Sequence, residues 1–254
     1  MNVDALMPWS LSVALLTVRL SVALVLSPPL SSYGIPVVVR VALTFVLAAL
    51  TFAARSPAQS AAEWAATPLA LFMPVMAEVF IGALLGLAAH IVLAALALAG
   101  RLLDVQIGFA IGSVFDPVTR ASSNVLGALL TLLGVTLFFV SDAHVQLAML
   151  VARSLDVLPL GQLPAFDDPL RPLLAAGSMF TLGLALAAPV ALALLFTDLA
   201  IGVASRNMPQ INVLILAMPI KIGVGYLVLA LAVVGWGPVL EQAFAQVLEL
   251  AGIL

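Results

Sequence analysis

An all-α, polytopic membrane protein is the architecture this sequence predicts: about six long apolar helices in hairpins, a central loop and a carboxyl-terminal amphipathic helix. Two observations carry that reading. Hydrophobic residues make up 64% of the chain and charged residues 8%, against about 25% charged in an average soluble domain. The apolar residues also fall into runs long enough to cross a bilayer, divided by clusters of proline, glycine and polar residues. A net charge of -3, with nine basic residues scattered singly, offers no patch to nucleic acid. The absence of cysteine removes disulfides, thiolate metal sites and a cysteine nucleophile. The amino terminus, MNVDALMPWS, lacks a basic region and carries Asp4, so a cleavable secretory signal is not expected.

The runs follow in order. Trp9 to Leu26 ends at Ser27-Pro28-Pro29, and Pro36 opens the second run, which reaches Ala54. A linker from Arg55 to Pro68 follows, with Trp64 suited to a membrane interface. Leu69 to Ala99 is about 31 residues, or ~46 Å as one helix, longer than a hydrocarbon core of ~30 Å. It is expected to tilt, to kink at Pro74, or to lie partly outside lipid. Val125 to Val151 is the fourth run, and a polar connection from Arg153 to Pro172 leads to the fifth, Leu173 to Val203. A tight turn over Ser205 to Gln210 precedes the sixth, Ile211 to Val234. Gly235-Trp236-Gly237-Pro238 is expected to break the chain before a last amphipathic helix, Val239 to Leu254. Basic residues divide evenly between alternate connections, so they set no orientation.

Arg19, Arg40, Glu78, His90, Asp198 and Lys221 all fall inside apolar runs. A charge at mid-bilayer costs ~2.5–3.5 kcal/mol on insertion scales, so these residues pair or face protein or water. Asp198 precedes Met208 by ten residues and Lys221 follows it by thirteen. In a hairpin turning there, their levels differ by ~5 Å, which predicts a structural ion pair. A proton relay, the competing reading, wants several acids or histidines near one level. Here each acid sits alone on its helix. No catalytic constellation is present: there are two histidines, His90 and His144, and no P-loop, His-Glu motif or nucleophile elbow. Neither an enzyme nor a cofactor or metal site is expected.

The least ordinary stretch is Gly100 to Asn124, read as a connection between two apolar helices. Its middle, Gly108 to Phe115, spells G-F-A-I-G-S-V-F and closes on the turn signal Asp116-Pro117. Non-helical backbone at membrane depth is tolerated only where protein buries it or it lines a cavity. The functional reading is a loop tucked into a pathway; the plainer one is a surface connector.

Glu78-Val-Phe-Ile-Gly-Ala-Leu-Leu-Gly86, then Asp104-Val-Gln-Ile-Gly-Phe-Ala-Ile-Gly-Ser-Val-Phe-Asp-Pro117, resemble the FliR/SctT family of the flagellar and injectisome type III export gate. So do Ser141-Asp-Ala-His144 and Leu155-Asp-Val-Leu-Pro-Leu-Gly161. The most distinctive piece is Asp198-Leu-Ala-Ile-Gly-Val-Ala-Ser-Arg-Asn-Met-Pro-Gln-Ile-Asn-Val213, whose turn carries Arg206, Pro209 and Gln210. The ordered set covers about residues 70 to 225, and the first 65 residues match only in hydropathy. The resemblance implies a subunit that joins FliP-like and FliQ-like membrane subunits around a secretion pore, alongside FlhB-like and FlhA-like export components. It implies unfolded polypeptide substrates and a place in the bacterial inner membrane, within the flagellar basal body. It divides the chain into hydrophobic helices over 1–68, a FliP-like part with the loop over 69–172, and a FliQ-like hairpin with the amphipathic helix over 173–254. It assigns a pore plug to Gln106, Ile107, Gly108, Phe109, Ala110, Ile111, Gly112, Ser113, Val114 and Phe115. Glu78, Asp198, Arg206, Pro209, Gln210 and Lys221 are then structural residues, the charged ones buried.

Three other readings stand beside it. An injectisome subunit of the same family differs only in the system served. A secondary transporter would use Gly108 to Asp116 as a broken-helix substrate site. A membrane-embedded enzyme is disfavoured by the missing constellation.

Overall fold

The computed structural model describes residues 3–27, 36–55, 68–109, 124–163, 171–207 and 213–252. Among these the chain is helical throughout its regular structure. The elements are α1 (Val3–Leu26), α2 (Val37–Arg55), a 3-10 turn (Pro68–Leu71) leading into α3 (Phe72–Ile107), α4 (Val125–Val140), α5 (Ala143–Val157), α6 (Arg171–Asn207) and α7 (Val213–Gly252). Five of them are long and apolar enough to cross a membrane, and α4 with α5, bent by 65°, makes a sixth if the pair is one span. The chain is a polytopic helical membrane protein.

Three boundaries differ from those expected. First, the third run does not stop at Ala99, because α3 continues to Ile107. Its buried side continues too: Leu96, Ala99, Leu103 and Ile107 recur every three or four residues and are all 2% exposed or less. Arg101 and Gln106 lie on the exposed side. The helix ends at Gly108, whose φ of 100° only glycine adopts freely. The Gly108 N–H donates to the Val105 carbonyl and the Phe109 N–H to the Asp104 carbonyl, the paired bonds of a Schellman cap.

Second, the fourth run is broken. Asp142 adopts a left-handed conformation, φ 55° and ψ 21°, and ends one helix before the next begins. Aspartate tolerates that region better than most residues. Third, Gly235-Trp236-Gly237-Pro238 does not interrupt α7, so no separate amphipathic helix follows. Leu229, Trp236, Leu240 and Phe244 keep a buried side across the prolyl position, and proline removes a single N–H from the ladder. Helices in membrane proteins absorb that loss, as α6 does at Pro189.

The helices form two compact units. One comprises Met1–Ile91, Phe138–Ala176 and Phe244–Leu254. In it α1 packs on α2, and α3 lies against α1 at two glycines. A Cβ on Gly82 would meet the Arg19 carbonyl oxygen at 2.5 Å, and one on Gly86 would meet Leu26 Cβ at 2.7 Å. The buried side of α5 is Ala143, Leu147, Val151 and Leu155, and the Phe138 ring lies 5.5 Å from that of Phe244.

The other unit comprises Val92–Leu137 and Gly177–Ala243. Here the second half of α3 and the first half of α4 meet backbone to backbone, since a Cβ on Gly100 would strike Gly127. In an apolar 18-residue stretch of Phe72–Ile107, 61% of the residues are buried, against 17% for Val37–Ala54 and 11% for a stretch of the same length in Ala217–Gln246. The helix α3 is therefore the interior element, while α2 and α7 turn apolar faces outward. Gly100→Ala or Gly127→Ala should destabilise the protein by ~1–3 kcal/mol through overpacking. Gly177→Ala, where nothing lies within 4 Å, should be neutral or slightly stabilising. Thermal unfolding of the detergent-solubilised protein checks both.

Candidate functional site

The charges inside the apolar helices resolve into two kinds. Arg19 on α1 and Glu78 on α3 are each 0% exposed and form an ion pair with Nε to Oε2 at 2.5 Å. The guanidinium also donates from Nη2 to Glu78 Oε1 at 3.1 Å, so the pair is bidentate. Its remaining donors reach α5 and the turn after it: Nη1 donates to Ser154 Oγ at 2.8 Å and Nη2 to the Leu158 carbonyl at 3.1 Å. Glu78 Oε1 accepts a further bond from the Gly161 N–H at 2.8 Å. Gly161 has a φ of 75°, so the turn that aims this N–H requires glycine or strain.

The result is a network centred on a fully buried ion pair, joining α1, α3 and the end of α5, all within one unit. Both Glu78 oxygens are engaged by donors, an arrangement that holds backbone. Breaking a buried pair by removing one partner costs ~3–5 kcal/mol, because the other charge is stranded. Arg19→Ala and Glu78→Ala should each lose about that much, and the double variant far less than the sum. Unfolding of the purified protein in detergent gives the cycle directly.

Asp198 on α6 and Lys221 on α7 form the second kind. Nζ lies 2.9 Å from Asp198 Oδ1, but the side chains are 18% (Lys221) and 49% (Asp198) exposed. The pair expected from counting outward from the turn is present, though not buried. Arg206 is exposed as well. Pro209 and Gln210 lie outside the described residues. Partly exposed ion pairs contribute ~0–1 kcal/mol, so Asp198→Asn and Lys221→Met should couple by no more than that in the same assay.

The sequence-predicted plug is described only at its start. Gln106 and Ile107 belong to the last turn of α3, Gln106 exposed and Ile107 2% exposed. Gly108 is the helix cap and Phe109 is half-buried beyond it. Ala110, Ile111, Gly112, Ser113, Val114 and Phe115 lie outside the described residues.

At the base of this connection Asp104, 4% exposed, accepts from two backbone amides of α4. Leu126 N–H reaches Oδ1 at 3.0 Å and Gly127 N–H reaches Oδ2 at 3.1 Å. The first amides of a helix have no intrahelical acceptor, and they carry the positive end of its dipole. A carboxylate satisfies both.

Sequence reasoning missed Arg19 as the partner of Glu78, and it missed Asp104. For the first, sequence offered only two opposite charges inside the first and third apolar runs, with no spacing to join them. Asp104 was hidden because its stretch was read as loop. His144 lies against the rings of Phe139 and Phe138, at 5.2 and 6.4 Å, and its buried Nδ1 has no hydrogen bond among the described residues. That is a packing environment. Among the described residues, no group of three or more His, Asp or Glu side chains is placed to hold a metal ion.

Comparison with known proteins adds the family. The pattern described as Bacterial export proteins, family 1, matches residues 10–247. The flagellar biosynthetic protein FliR of Bacillus subtilis (strain 168) is 29% identical over 241 residues, covering 92% of this chain and 91% of that protein. FliR of Pectobacterium carotovorum subsp. carotovorum is 33% identical over 174 residues, 68% of this chain and 67% of its own. The secretion system apparatus protein SsaT of Salmonella typhimurium is 28% identical over 149 residues, 58% of each chain.

Proposed function

The chain belongs to the bacterial export proteins, family 1, the FliR/SctT group of type III export-gate proteins, and from that membership we propose that it helps to build the pore through which unfolded polypeptides leave the cell. The match over residues 10–247 carries this reading, since it takes in almost every helix. In the proposed assembly, FliP-like and FliQ-like subunits cover the apolar faces that the single chain leaves open, with FlhB-like and FlhA-like components nearby. Val37, Val38, Val41 and Phe45 on α2, and Leu227, Leu231 and Val234 on α7, are among those exposed side chains. Continuous apolar surface of this kind asks for lipid or another subunit. The proposed location is the bacterial inner membrane, within the flagellar basal body, and the chain itself performs no covalent chemistry.

Residues Gln106 to Phe115 are proposed as the plug of the closed pore. Large apolar side chains at 109, 111, 114 and 115 close a narrow channel by packing and dewetting. What supports this is the firm base of the connection: a capped helix end, a backbone contact at Gly100 and Gly127, and a carboxylate cap on α4. A loop that seals needs a fixed origin.

A flagellar role is favoured over an injectisome one because the flagellar relative from Bacillus subtilis aligns over 92% of the chain and SsaT over 58%. The secondary-transporter reading loses ground because Glu78, its best proton carrier, is bound on both oxygens by donors. Deleting Gly108 to Val114 tests the plug. Ion leakage across the membrane with the complex assembled is the expected result. A tight membrane with normal secretion would reduce the stretch to a connector.

A further inference from the structure

Every side-chain and turn partner of Arg19 is made long after it. The first apolar span, Trp9–Leu26, carries Arg19 near its middle as its one charged residue. It is 18 residues long and has the lowest mean hydropathy of the five single-helix spans. A guanidinium at that depth is among the most expensive side chains a lipid-facing helix can hold. The second span, Val37–Ala54, offers no carboxylate, and Glu63 falls between apolar runs. The first acid inside an apolar run is Glu78, 59 residues on. Ser154 and Leu158 follow Arg19 by 135 and 139 residues.

The two halves of the ion pair are unequal in what they need. Helix α3 is 36 residues long, ~54 Å against a hydrocarbon core of ~30 Å. Its span has the highest mean hydropathy of the five, and Glu78 lies close to its start. So long a helix can sit in the membrane with Glu78 near the interface, whether or not the carboxylate has a partner. An 18-residue run with its charge in the middle has no such slack. In the finished protein Arg19 is 0% exposed, so its side chain has not escaped to water along the helix.

We propose that Glu78 anchors α1 in the membrane. On this account α1 does not hold its place alone, and it is retained once α3 brings the carboxylate to Arg19. The close passage at Gly82 and Gly86 lets the two helices meet at that level. Ser154, Leu158 and the Gly161 N–H then complete the network when the chain has been made that far. The helix made first is settled last, and its placement becomes conditional on the rest of its unit. A pair that only stabilised the fold would make the loss of either partner equivalent. An anchor makes them different, because only the loss of Glu78 leaves a charge in α1.

The chain has no cysteine, so a single introduced thiol reports alone. Val13 on α1, 1% exposed, and Val190 on α6, 0% exposed, are the probe positions, each changed to Cys in a separate full chain. Membranes holding these chains are opened and treated with a water-soluble maleimide on both faces. The reagent needs water at the thiol, so it reads exit from the hydrocarbon and not lost packing alone. In Glu78→Gln, labelling at position 13 should rise about tenfold or more, while position 190 stays at the parent level. Arg19→Leu strands Glu78 but clears α1 of charge, so position 13 should remain protected. Arg19→Leu combined with Glu78→Gln should protect it as well. Position 13 staying protected in Glu78→Gln would overturn the proposal. So would equal labelling in Arg19→Leu and Glu78→Gln, or positions 13 and 190 rising together, since either marks general loss of the fold. If the Glu78→Gln chain is degraded before labelling, its steady-state amount is read instead. Recovery in the double variant then supports the anchor, and a double variant no more abundant than Glu78→Gln overturns it.

Discussion

A guanidinium with no exposed surface, set in the middle of an apolar helix, must find every partner inside the protein. Arg19 does so through the Glu78 carboxylate, the Ser154 hydroxyl and the Leu158 carbonyl. Glu78 in turn binds the Gly161 amide. This network decides where α5 can lie, because the end of α5 and the turn after it must present a hydroxyl, a carbonyl and an N–H to one buried pair. It also accounts for the glycines of α3 that face α1. The two helices have to approach closely before so short a salt bridge can form.

The remaining polar residues fall into place around that constraint. Asp104 is buried because two helix-start amides need it, and the apolar side of α3 is long enough to carry it there. Asp198 and Lys221 satisfy each other on a half-open surface and ask nothing of the interior. None of these arrangements resembles a proton path, in which acids at one level stay accessible to water. They resemble the fittings of a scaffold, which is what the proposed pore-building role asks of them.

Much of the fold was legible in the sequence. The helical membrane class follows from composition, and the main apolar runs follow from the spacing of proline, glycine and polar clusters. The Asp198–Lys221 pair could be reached by counting residues from one turn. Three features could not. Arg19 and Glu78 lie 59 residues apart on different helices, and no periodicity links them. The end of α3 was mistaken for loop because Arg101 and Asp104 look like helix-stopping polarity, whereas one faces outward and the other is consumed by α4. The bend at Asp142 and the continuity through Pro238 turn on tertiary packing around single residues, which outweighs local propensity. Of the candidate gate, sequence gives the apolar character, while the described residues take in only its start, Gln106 to Phe109.

The central claim is that the stretch from Gln106 to Phe115 stands in the path of exported polypeptide. The most direct measurement places a photo-crosslinking residue at position 109 or 111 and arrests a secretion substrate in mid-transit. Adducts between the arrested substrate and these positions, absent from a probe on the outward face of α2 at position 38, are what this account predicts. A substrate that blocks export yet crosslinks nowhere between 106 and 115 would contradict it, and the path would have to run elsewhere.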